Sequence, residues 1–112
     1  MNSSTDEIQQ WVRQAAAAAD DKKAADVLII DVGEVFSVTD YFLIASGSSS
    51  PQEHALVDGI EERLTRDGGP KPVRIEGKES REWVLMDYGA FVVHVFHQEQ
   101  RDFYQLEKLW GD

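Results

Sequence analysis

EWVLMDYGAFVVHVFHQEQRDFYQLEKLW, residues 82–110, decides how this chain folds. Two β-rich runs, WVLM at 83–86 and FVVHVF at 91–96, are separated by the short polar break DYGA. Glycine inside such a break is a hairpin signal, because only glycine takes positive φ without steric cost. Residues 101–110 then switch to helical spacing, with Phe103, Leu106, Leu109 and Trp110 on one side. No nucleophile is paired with a base anywhere in the stretch. It reads as a docking surface joined to an aromatic helix.

Upstream, the pattern extends the same sheet. Val73-Arg74-Ile75 alternates as an edge strand would. Tyr41-Phe42-Leu43-Ile44-Ala45 and Val27-Leu28-Ile29-Ile30 are continuous apolar runs, too short for helices, and predict strands covered on both faces. Between them and Val73 lies a helix with Ser50 as N-cap, Pro51 at its first position and Glu53 closing a capping box. Leu56, Gly59, Ile60 and Leu64 form its buried stripe, and Gly68-Gly69 ends it. A first helix begins at Ser4-x-x-Glu7 and buries Ile8, Val12, Ala15, Ala16 and Ala19, while residues 1–5 fray. The order α-β-β-α-β-β-β-α predicts a single α/β domain over residues 1–112, a mixed sheet of about five strands with three helices packed on it.

Composition narrows the function. At 112 residues the chain can bury one core, and with no cysteine it has neither disulfides nor thiolate zinc ligands. No apolar run approaches the roughly 18 residues of a membrane span, and no signal pattern opens the chain, which predicts a cytoplasmic protein. Eleven Lys and Arg against twenty-one Asp and Glu leave a formal charge of −10. Phosphate backbones repel such a chain, so nucleic acid is not its main contact, and a basic protein is the better partner.

Two chemical readings fail on spacing. His94 and His97 are three apart on a strand and face opposite ways, and His54 has no partner at helical spacing. We therefore expect no metal and no cofactor. Gly47-Ser48 is similar to the opening of the nucleotidyltransferase signature, but the acids that follow, Asp58, Glu61 and Glu62, fall on a helix. The alternating strand carboxylates that would hold two magnesium ions are missing.

The ordered landmarks Thr39-Asp40-Tyr41-Phe42, Gly47-Ser48-Ser49, Glu76-Gly77, Trp83-Val84-Leu85-Met86-Asp87-Tyr88-Gly89, Val93-His94-Val95-Phe96 and Arg101-x-Phe103-Tyr104-x-Leu106-Glu107-x-Leu109-Trp110 resemble the Iojap family of ribosomal silencing factors. The likeness covers nearly the whole chain. It departs at Ala90, where the family is usually acidic, at Pro51 after the serine loop, and in the alanine-rich first helix. The resemblance implies a nucleotidyltransferase-like fold without catalysis. It also implies binding to the large ribosomal subunit at ribosomal protein L fourteen, a block on small-subunit joining, and homodimers.

On that footing Trp83, Leu85, Met86, Asp87, Tyr88, Asp40, Tyr41 and Glu76 are the expected partner-binding residues. Trp83, Leu85 and Asp87 share one strand face, and Val84, Met86 and Tyr88 the other. A strand tryptophan often only supports the core, and surface acids often only solvate, so each reading needs its geometry. Two rivals stand: a large-subunit assembly factor that leaves subunit joining intact, and a nucleotidyltransferase-like enzyme.

Overall fold

A computed structural model describes residues 3–33, 39–79 and 83–99, with side chains from Glu7 onward. The elements run α1 (Ser3–Asp21), β1 (Ala25–Asp31), β2 (Tyr41–Gly47), α2 (Ser50–Arg66), β3 (Arg74–Glu76), β4 (Trp83–Asp87) and β5 (Phe91–His97). The strands form one five-stranded sheet in the order β1-β2-β5-β4-β3. Only β2 and β5 are parallel; every other pair is antiparallel. The expected mixed α/β sheet is present, with two helices among the described residues. The expected third helix, 101–110, lies outside them, and so do Phe103, Tyr104 and Trp110.

Both helices pack on one face. Val12, Ala15, Ala18 and Ala19 of α1 meet Leu56, Val57, Ile60 and Leu64 of α2 over Leu43, Ala45, Met86, Val93 and Val95. Alanine at 15, 18 and 19 leaves no bulk between helix and sheet, which lets α1 lie close. The helix starts at Ser3, inside the stretch expected to fray. In α2 the N-cap is Ser49, whose hydroxyl accepts the Gln52 N–H at 3.2 Å, one residue before the expected Ser50. Three consecutive serines offer equivalent caps, and the loop geometry selects among them. With Ser49 as the cap, the third residue after it is Gln52, so Glu53, expected to close the capping box, stands one place beyond it and is buried.

One strand differs from its expectation. β1 is an edge, not an interior strand, and its Leu28 and Ile29 are 37% and 39% exposed. A short apolar run has no periodicity that separates an edge from a centre, so position in the sheet came only with pairing. β2 meets the expectation: all seven of its residues are buried.

The hairpin forms as its sequence predicts. Gly89 has φ +82°, and its N–H donates to Asp87 Oδ1 at 2.8 Å. Gly77, after β3, combines φ +77° with a tight fit, because a β-carbon there would collide with the Trp83 carbonyl oxygen. We therefore expect Gly77→Ala to cost about 2 kcal/mol or more, from strained backbone and overpacking together. Urea titration would check it, and a midpoint unchanged from wild type would show the turn to be adaptable.

Candidate docking surface

The sheet face away from the helices carries a second core. Ile30, Val32, Phe42, Ile44 and Phe96 are buried there, and Trp83 and Val92 pack against them half-buried. Cross-strand register defines the rest of this outer face. Trp83 lies opposite Phe96, Leu85 opposite His94 and Asp87 opposite Val92. On the far side Arg74 pairs with Asp87 and Glu76 with Leu85. A strip therefore runs along β4 from Trp83 to Asp87, about 13 Å at the usual strand rise, apolar at one end and charged at the other.

Trp83 is held by its neighbours rather than simply buried. Its ring stacks on Phe96 with centroids 5.0 Å apart and planes 26° apart. Its indole N–H donates to His94 Nδ1 at 2.9 Å. An imidazole nitrogen that accepts cannot carry a proton, so His94 is neutral with its hydrogen on Nε2. Burial agrees: it lowers the His94 pKa from 6.5 to about 4. The ring also meets the edge of Phe42 at 4.6 Å.

The charged end is solvated. Arg74 lies 3.5 Å from both Glu76 and Asp87, and its own side chain is 60% exposed. Exposed pairs of this kind add little stability and leave their carboxylates open to a stronger basic partner. Asp40 is exposed at the same end of the sheet, where its N–H donates to Ala90 O at 2.8 Å. The backbone thus brings Asp40 beside the β4–β5 hairpin, although it is far from Asp87 in sequence.

Three expected contact residues face inward. Met86 is 0%, Tyr88 6% and Tyr41 8% exposed, all within the core beneath the helices. Strand alternation turns them away from Trp83, Leu85 and Asp87. Tyr41 Oη accepts a bond from Gln9 Nε2 at 2.8 Å, which ties β2 to α1. The Tyr88 phenol is pushed above its ordinary range by burial and by the Glu61 carboxylate. They support the strip from behind and do not line it. Conversely, sequence reasoning missed the bond from Trp83 to His94. The two are diagonal neighbours across an antiparallel pair, a relation visible only once the register is known.

Asp58, Glu61 and Glu62 lie on α2 as their spacing predicts. Among the described residues no group of three or more His, Asp and Glu side chains could hold a metal ion.

The family described as "ribosomal silencing factor during starvation" matches residues 5–112. A ribosomal silencing factor from Bacillus subtilis is 46% identical over 98 residues, 88% of this chain and 82% of the relative. A mouse protein named for mitochondrial assembly of the ribosomal large subunit is 36% identical over 91 residues, 80% of this chain and 40% of the relative. A crystal structure of a protein from Chromobacterium violaceum superposes with a TM-score of 0.86 at 38% identity, covering 93% of this chain and 86% of the other.

His94 makes stability depend on pH. Below 6.5 the unfolded chain binds a proton that the folded chain refuses until pH falls to about 4. Its contribution is therefore complete above pH 6.5 and declines as pH drops through that window, on the order of 3 kcal/mol in all. Denaturant titrations between pH 4 and 7 should show a steeper loss in wild type than in His94→Phe. Parallel profiles would mean that His94 does not carry the effect.

Proposed function

We propose, on the premise that this chain belongs to the ribosomal silencing factor family, that it binds the large ribosomal subunit through the outer face of β4 and represses translation by occupying space. Family membership makes it a ribosome-associated regulator of translation. The finer reading is that it docks on ribosomal protein L fourteen in the cytoplasm and keeps the small subunit from joining. The observation that carries the docking site is the strip of Trp83, Leu85 and Asp87, flanked by Glu76 and ending beside Asp40. It sets a half-buried aromatic anchor beside solvated acids, the arrangement a basic protein surface would meet.

Area makes the task feasible. The chain exposes 6520 Å², and a standard interface needs about 800 Å² per partner. Docking would use about an eighth of the surface and leave the remaining body as the obstacle. No bond need be broken. A homodimer formed through the same strip would compete with the ribosome, so binding would weaken as protein concentration rises.

The name of the mouse relative favours a second reading, assembly of the large subunit without a block on joining. Sedimentation of purified subunits separates the two. A silencing factor lowers the yield of joined ribosomes, whereas an assembly factor leaves mature subunits free to pair.

Trp83→Ala should weaken large-subunit binding by about 2–4 kcal/mol, the range of a hot-spot anchor, in a variant that stays folded. Binding should also weaken as salt rises, because the acids act through a screened field. Equal affinity of the folded alanine variant and wild type would move the docking site off β4. Affinity indifferent to salt would leave the acids without a part.

A further inference from the structure

A buried histidine in an aromatic cluster is an expensive choice. His94 is 4% exposed, and its Nε2 finds no hydrogen-bond partner among the described residues. An unsatisfied buried polar atom is destabilising, a cost that phenylalanine at the same place would avoid while keeping the ring contacts to Phe42 and Phe96. What phenylalanine could not do is accept the Trp83 N–H. We propose that His94 is a positioning residue for the docking face, holding the Trp83 indole in the one orientation that meets the large subunit; this rests on the reading of Trp83 as the anchor.

Stacking on Phe96 settles the plane of the indole but not which edge turns inward. The bond to His94 Nδ1 makes that choice, because it commits the only polar atom of the side chain to the protein interior. With its nitrogen bonded to His94, what the ring has to offer a partner is hydrocarbon. Its partner is met through hydrocarbon, such as an aliphatic side chain or the methylene stem of a lysine or arginine, and not through a hydrogen-bond acceptor. Holding the ring before contact also removes the cost of ordering that side chain at binding.

Two substitutions separate positioning from packing. His94→Phe keeps the ring and loses the acceptor; His94→Asn keeps an acceptor near Nδ1 and loses the ring. In 15N–1H spectra of the free protein, the Trp83 indole signal, assigned with Trp83→Phe, should shift in His94→Phe and stay near its wild-type position in His94→Asn. Affinity for purified large subunits should follow that signal. It should fall about five- to tenfold in His94→Phe, toward the upper end of what ordering one side chain costs, and stay within about twofold in His94→Asn. A His94→Phe variant that binds like wild type, or an asparagine variant weaker than the phenylalanine one, overturns positioning.

Should His94→Asn fail to fold, the cycle of Trp83→Phe, His94→Phe and their double variant decides. Losses that merely add overturn the proposal; a double variant no worse than Trp83→Phe supports it. If wild type itself does not bind large subunits, the docking reading falls and takes the positioning role with it. If wild type binds and His94→Phe binds equally, only the positioning role falls.

Discussion

Parallel pairing of β2 with β5 is the constraint on which the rest of this structure depends. Seven register pairs, from Tyr41 opposite Phe91 to Gly47 opposite His97, join two strands that are distant in sequence. Parallel neighbours cannot be joined by a hairpin, so the chain must leave the sheet and return. α2 makes part of that crossing, and β3 and β4 are laid down on the far side before β5 enters the centre. Strands at the centre of a sheet are covered on both faces, which is why β2 carries no exposed residue.

Two faces with different work follow from that centre. The face under the helices is a largely aliphatic core, with Tyr41, Tyr88 and Phe91 at one end, in which α1 and α2 approach through alanine and aliphatic contacts. The other face holds aromatic rings and a histidine, grading into ion-paired and solvated groups along β4 and β3. Strand alternation divides one short segment between them. Val84 and Met86 stabilise the core, whereas Trp83, Leu85 and Asp87 look outward half-buried. One strand thus feeds two clusters, the core under the helices and the outer one on which Trp83 packs.

The acids near the strip are exposed or paired with a solvated arginine, and such groups do little for folding but act at a distance on a basic surface.

Much of this was legible in the sequence, for physical reasons. The period of apolar residues separates helices from strands, Gly89 marks the hairpin, and the alternation along 83–88 separates two strand faces, although Met86 and Tyr88 were still expected on the contact surface and lie in the core. The ordered landmarks identified the family, because their joint spacing is far more specific than any one of them. What needed tertiary structure is whatever depends on which strands are neighbours. Sequence could not tell that β1 lies at an edge, since a run of Val, Leu and Ile looks alike in either place. It could not bring Asp40 to the hairpin, because a parallel pairing across the sheet does that. Nor could it join Trp83 to His94: that bond exists only because register sets residue 83 diagonally across from residue 94, and register is a property of the assembled sheet.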